Sequence, residues 1–215
     1  MTEASLKADW YFDILSPFAY LQLQEFHRFP DSLTVTPKPV VLGAILKHWG
    51  QIGPAEIAPK RVQTYRTVQF RADTRGVPFN VPPRHPYNPL MALRLLCALG
   101  PDWATVRAAF NYSFRDGLPL ETPDDIEALG KLLGVNGSAV ELASAQEAKD
   151  RLRANTDEAL ERGVYGVPTF SCEGELFWGD DSTDMFIAWL ADRDLFSRGG
   201  MARIRDLPVG AVRNR

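Results

Sequence analysis

Strand texture occurs towards the two ends of this chain and is missing from the long stretch between, so its sheet has to be assembled from segments remote in sequence. Residues 8–15, ADWYFDIL, are rich in aromatic and branched side chains and read as a buried strand that stops at Ser16-Pro17. Pro17 suits the first turn of a helix. Residues 18–29, with Phe18, Leu21, Leu23 and Phe26 set among Gln22, Gln24 and Glu25, read as a helix with one buried face, ended by Pro30. A second strand is expected over residues 33–42 and a short apolar helix over 42–49. From residue 55 to about 161 the pattern is almost wholly helical: residues 55–75, 88–99, 103–114, 124–133 and 145–162 carry apolar side chains at helical spacing, with Asn88, Asp102 and Thr122-Pro123 as caps. Strand texture returns at 167–172 and 176–178, on either side of a Glu173-Gly174-Glu175 turn, and a helix over 183–191 closes the pattern.

The order is β-α-β-α, a block of helices, then β-β-α. That describes an α/β chain: a thioredoxin-like fold interrupted by an all-helical insertion domain, with residues 1–50 and 164–196 forming the discontinuous thioredoxin-like domain and 51–163 the insertion. The two halves would pack face to face, and a cleft between them is the expected place for a ligand. Residues 197–215 carry five arginines against the single Asp206 and are expected to form an extended C-terminal arm.

Composition excludes several classes. Lys and Arg number 24 against 27 Asp and Glu, a net charge of −3, which favours neither nucleic acid nor an anionic membrane as partner. The opening MTEASLKADWYFDIL contains Glu3, Lys7 and Asp9 and no apolar core of a leader, so no signal peptide is expected. The longest nearly uncharged stretch, around residues 34–45, is broken by Pro37, Lys38 and Pro39 and is too short to span a membrane. Two cysteines, Cys97 and Cys172, lie far apart in no metal or redox spacing, which fits a reducing, cytoplasmic setting, with each thiol buried as an apolar group. His27, His48 and His85 are scattered and form no metal motif, so each is read as a surface or packing residue.

Three short motifs carry chemistry. The first is Ser16-Pro17-Phe18-Ala19, at a strand-to-helix turn. Thioredoxin-like disulfide oxidoreductases hold CxxC there, with a thiolate at the helix N-terminus. Ser16 and Ala19 replace both cysteines, so dithiol exchange from this turn is chemically impossible. What remains is a hydroxyl at a helix N-terminus, which is either a plain N-cap or a hydrogen-bond donor to an anion such as a thiolate supplied by a ligand. The second motif, GVYGVPTF at residues 163–170, enters a strand through Pro168. Its position before the hairpin favours a cis Val167-Pro168 bond over an ordinary turn proline. In the third, FWGDDST at residues 177–183, Asp180 and Asp181 are either helix caps, an acid/base pair, or a holder for a ligand's ammonium group.

In combination, FDILSPFAYL at residues 12–21, PVVLGAILKHWG at 39–50, HPYNPLMALRLL at 85–96, GVYGVPTF at 163–170 and FWGDD at 177–181 resemble the 2-hydroxychromene-2-carboxylate isomerases. These stand with the kappa-class glutathione S-transferases in the DsbA-like thioredoxin superfamily. The resemblance implies bound glutathione, a homodimer, and isomerisation of a small-molecule aromatic substrate in aromatic-compound catabolism. Residue by residue, it assigns the catalytic serine to Ser16, beside the glutathione sulfur. Phe18, Val167 and Pro168 join the glutathione-binding set, with the Val167 backbone pairing the cysteinyl unit, and Asp181 and Ser182 grip the γ-glutamyl end. Gln51 stands where kappa-class members have an Asn, and Lys47 would face the substrate carboxylate. The kappa-type pattern Gly-Ser-Asp-Arg is changed here to Gly179-Asp180-Asp181-Ser182, without the Arg. Asn88-Pro89 is explained by capping alone. The expected function is therefore a glutathione-dependent isomerase converting 2-hydroxychromene-2-carboxylate, or a related intermediate, to trans-hydroxybenzylidenepyruvate by reversible thiolate addition. The alternatives are a kappa-like transferase that consumes glutathione and a redox-inactive thioredoxin-like binding module.

Overall fold

The computed structural model of the protein describes residues 6–211; residues 1–5 of the expected first domain, and Arg213 and Arg215 of the arm, lie outside the described residues. Four strands form one mixed sheet in the order β2-β1-β3-β4. β1 (Leu6–Phe12) and β2 (Leu33–Pro39) are parallel, with Leu6 opposite Leu33. A parallel pair needs a crossover, and α1 (Pro17–Gln24) supplies it. β3 (Thr169–Cys172) runs antiparallel on the other side of β1, Trp10 facing Phe170, and β4 (Glu175–Trp178) pairs antiparallel with β3. The β3–β4 connection is the two residues Glu173 and Gly174, with φ of 48° and 87°, the doubly left-handed turn whose twist suits a tight hairpin. Because β1 is central and β3 is antiparallel to it, the turn leaving β1 and the loop entering β3 meet at one end of the sheet.

The remaining helices are α2 (Leu42–His48), α3 (Ala58–Arg75), α4 (Leu90–Leu99), α5 (Trp103–Phe110), α6 (Pro123–Leu132), α7 (Ala139–Ser144), α8 (Gln146–Glu161), α9 (Thr183–Ala191) and α10 (Gly199–Ile204). Asp102 caps α5 through the Thr105 N–H at 2.7 Å, and Thr122 caps α6 in a reciprocal pair with Asp125. Asn88 instead sits one residue further out than a cap: α4 starts at Leu90, whose N–H donates to Asn88 Oδ1 at 3.1 Å. α7 starts at its own cap, Ser138, whose Oγ accepts the Glu141 N–H at 3.1 Å, and Glu127 of α6 accepts the N–H groups of Ala139 and Val140 at 3.0 and 3.1 Å. Residues 76–89 separate α3 from α4, as the gap between the expected helices required, and carry a cis His85-Pro86 bond. Among the described residues no helix is long and apolar enough to cross a membrane.

α1 departs from the expected single buried face. Pro17, Ala19, Tyr20, Leu21, Gln22 and Leu23 are all buried, because the sheet, the helical block and α9 surround it. One core runs from Trp10 and Phe12 through Leu21, Leu96, Phe110 and Leu129 to Phe170 and Phe186, so the sheet and the helical block share their apolar interior. Tyr11, Val40, Ile45, Ala159, Val164 and Val167 cover the other face of the sheet. The tail also differs from expectation. Leu195–Ser197 turns, Arg198 Nε donates to the Asp194 carbonyl at 3.3 Å, and α10 follows in place of a fully extended arm.

Candidate active site

β1 ends at Phe12, and the chain then turns so that the Ser16 N–H donates to the Asp13 carbonyl at 2.9 Å. Ser16 is the N-cap of α1, its Oγ accepting the Ala19 N–H at 3.3 Å, and it is 6% exposed. Capping uses only a lone pair on the oxygen. The hydroxyl hydrogen stays available as a donor, so the two readings of Ser16 are compatible. Both cysteines are buried, and burial pushes the Cys97 thiol up to about 12 and the Cys172 thiol upward as well. A nucleophilic thiolate is thus disfavoured at either residue.

The other two motifs converge on the same end of the sheet. Val167-Pro168 is cis, and the Pro168 carbonyl accepts the Gly179 N–H at 2.8 Å, which ties the loop entering β3 to the 179–182 turn. The Gly179 carbonyl in turn accepts Gln22 Nε2 at 2.9 Å and the Ser182 hydroxyl at 2.8 Å. Gln22, fully buried on α1, accepts the Trp10 indole N–H through Oε1 at 2.7 Å. One buried amide therefore locks β1, α1 and the turn together. Among the described residues no group hydrogen-bonds to the N–H or C=O of Val167, which is 8% exposed.

Adjacent Asp180 and Asp181 have opposite environments, with side chains 1% and 70% exposed. Asp180 binds Arg71 Nη1 and lies 2.9 Å from Arg75 Nη2, both from α3, and burial raises its pKa against the pull of the two guanidiniums. Gly179 has φ 89° and ψ 158°, a region closed to other residues, and a Cβ there would collide with Asp181 Oδ1. Gly179→Ala is expected to cost about 1–3 kcal/mol and to displace Asp181, read as a lowered denaturation midpoint.

Two titratable groups support the Ser16 turn. Asp13, fully buried, accepts the Leu15 N–H through Oδ1 and the Leu42 N–H through Oδ2, each at 2.9 Å, so one carboxylate joins the start of α2 to the turn before α1. His85 Nε2 lies 2.8 Å from the Leu15 carbonyl and Nδ1 lies 2.7 Å from the Tyr65 hydroxyl. A carbonyl only accepts, so Nε2 carries the proton, and the single Tyr65 hydroxyl proton faces both Nδ1 and the His85 carbonyl, 2.9 Å away; burial lowers the pKa of the ring. His85 is therefore a bridge from α3 to the turn, more specific than a packing residue.

A DSBA-like thioredoxin domain model matches residues 7–191. A 2-hydroxychromene-2-carboxylate isomerase of Pseudomonas putida is 30% identical over 183 residues, 80% of this chain and 88% of the relative. The chain belongs to the 2-hydroxychromene-2-carboxylate isomerase family of DSBA-like thioredoxin domains. Glutathione S-transferase kappa 2 of Caenorhabditis elegans is 26% identical over 74% of this chain and 77% of that protein. A solved structure of a 2-hydroxychromene-2-carboxylate isomerase has the same fold, with a TM-score of 0.74 and 24% identity over 90% of this chain and 100% of that one. The relatives are enzymes of the isomerase and glutathione-transferase types.

Within this family frame, Ser16, Phe18, Val167, Pro168, Asp181 and Ser182 belong to elements that the structure ties together. Lys47 and Gln51 are exposed, on the last turn of α2 and just beyond it. They are joined to the site through the Asp13–Leu42 bond and through Trp49, whose indole N–H donates to the Val164 carbonyl at 2.9 Å. Sequence reasoning gave no site role to Asp13, Gln22, Arg71 or His85. Asp13 did leave a signal: a carboxylate inside the apolar run WYFDIL has to be buried with partners or else break the strand.

Proposed function

We propose that this protein is a glutathione-dependent isomerase that converts 2-hydroxychromene-2-carboxylate, or a related intermediate of aromatic catabolism, to trans-hydroxybenzylidenepyruvate, working as a cytoplasmic homodimer. The observation that carries the reading is the meeting of three groups at one end of the sheet: a buried serine hydroxyl at a helix N-terminus, the backbone of Val167, without a hydrogen-bond partner among the described residues, before a cis-proline, and the exposed carboxylate of Asp181. This donor set fits glutathione, which has a thiol, a peptide backbone and a charged amino-acid end. In the reading, Ser16 donates to the sulfur, Phe18, Val167, Pro168 and Gln51 contact the tripeptide, Asp181 and Ser182 hold the γ-glutamyl end, and Lys47 faces the substrate carboxylate. When bound, glutathione supplies a thiolate that adds reversibly to the conjugated ring system and is not consumed.

The energetics are adequate. Bringing a thiol from about 8.5 to about 6.5 requires about 2.7 kcal/mol of preferential thiolate stabilisation. A hydrogen bond to a charged group contributes about 1.5–3 kcal/mol, and a helix N-terminus adds about 0.3–1 kcal/mol. Ser16 and the N-terminus of α1 together reach that sum.

The same site would also serve a conjugating transferase, a reading supported by the kappa-class relatives. The test follows the absorbance of 2-hydroxychromene-2-carboxylate with and without glutathione while total glutathione is measured. Conversion that requires glutathione and leaves its amount unchanged is expected. Stoichiometric loss of glutathione would favour the transferase, and no conversion with retained glutathione binding would remove this substrate.

A further inference from the structure

We infer that Arg71 is a ligand-binding residue of the 179–182 turn, holding an α-carboxylate beside an α-ammonium on Asp181, so that this corner takes the zwitterionic end of an amino acid. The inference rests on the glutathione reading, since the γ-glutamyl end of that tripeptide carries both groups on one carbon. Two cations and two carboxylates meet here, and they are shared unequally. Asp180 has both guanidiniums: Arg75 Nη2 at 2.9 Å from Oδ2, and Arg71 through Nη1. Among the described residues Asp181 pairs with Arg71 Nη2 alone, at 3.7 Å, which is beyond hydrogen-bond length. Arg71 is thus anchored by one terminal nitrogen and presents the other toward an exposed carboxylate without bonding it. Its side chain retains 28% exposure, and its guanidinium carbon lies 5.7 Å from the ring centroid of Phe18, in the first turn of the helix that Ser16 caps.

Charge balance selects the ligand. The four side chains sum to zero, so a zwitterion is accommodated without leaving a charge uncompensated, whereas a lone anion or cation is not. An ammonium and a carboxylate borne on one carbon are spaced to face neighbouring Asp181 Oδ2 and Arg71 Nη2. Arg75 Nη2, 2.9 Å from Asp180 Oδ2, is a second cation beside the buried carboxylate, so Arg71 is not its sole charge partner.

The experiment measures calorimetric binding of glutathione and of 4-aminobutyryl-cysteinylglycine, the same tripeptide without its α-carboxylate, to the unaltered protein, Arg71→Gln and Arg71→Lys. The unaltered protein should bind glutathione about tenfold more tightly than the analogue. Arg71→Gln should abolish that preference by weakening glutathione alone, and Arg71→Lys should restore part of it. Equal weakening of both ligands by Arg71→Gln would assign Arg71 a purely structural role and overturn the inference, as would no weakening of either. If Arg71→Gln does not fold, the comparison passes to Arg71→Lys, where an undiminished preference for glutathione overturns it. No binding of glutathione by the unaltered protein would remove the glutathione reading and this inference together, whereas equal weakening removes only the assignment of Arg71.

Discussion

Ser16→Ala is expected to raise the pKa of the bound glutathione thiol by about 1–2 units, the equivalent of one charge-assisted hydrogen bond, and through the smaller thiolate fraction to lower isomerisation at pH 7 by about 3- to 25-fold. Ser16 is 6% exposed, so water does not readily replace the lost donor. The same substitution also removes the cap on Ala19 N–H, at a cost of about 0.5–2 kcal/mol in stability. Ser16→Gly separates the two effects, because glycine is a tolerable N-cap, only a few tenths of a kcal/mol worse than serine, but has no hydroxyl. Near-normal melting with a raised thiol pKa in Ser16→Gly would assign the hydroxyl to the thiolate. An ultraviolet thiolate titration unchanged in both variants would reject Ser16 in that role and leave it as a cap alone.

The parts of this arrangement that could be read in the sequence are those fixed by local chemistry. Ser16-Pro17 after an apolar run sets a strand-to-helix turn, Val-Pro-Thr-Phe sets the loop entering β3, and Glu173-Gly174 sets the hairpin. The parts that escaped are contacts between residues remote in sequence. Gln22 looks like the polar side of an amphipathic helix, yet it is fully buried because Trp10 and Gly179, on two other elements, use both ends of its amide. Arg71 and Arg75 look like solvated charges on a polar helix until the fold brings Asp180 beneath them. His85 likewise has no local partner; its bonds run to Leu15 and Tyr65. α7 also escaped but, by contrast, carries a local signal: Ser138 caps it by accepting the Glu141 N–H at 3.1 Å, with Glu127 of α6 adding bonds from outside. Periodicity assigns faces to a helix, and it does so on the assumption that one face meets water. α1 has no such face.

Asp13 should make the folded protein more stable as pH falls from 7 towards 4, a direction opposite to that of an ion-paired carboxylate. Burial pushes its pKa from 3.8 up to about 6, and the two N–H donors from Leu15 and Leu42 only partly oppose the rise. The folded state therefore binds a proton more tightly than the unfolded chain between those values. Stability from this group is fully present below the unfolded value and is lost as pH rises through about 6. The size is about 2–3 kcal/mol between pH 4 and pH 7. Other carboxylates titrate in the same window, so the informative quantity is the difference between the unaltered protein and Asp13→Asn. Asparagine removes the buried charge but offers one acceptor where two donors converge, leaving an N–H unmet at about 1–3 kcal/mol. At pH 7 these two changes oppose each other. On acidification the unaltered protein gains what Asp13→Asn does not, so the deficit of the variant in urea unfolding should widen by about 2–3 kcal/mol at pH 4. Parallel stability curves for the two proteins would mean that Asp13 titrates at its ordinary value, and that its two backbone bonds fully offset its burial.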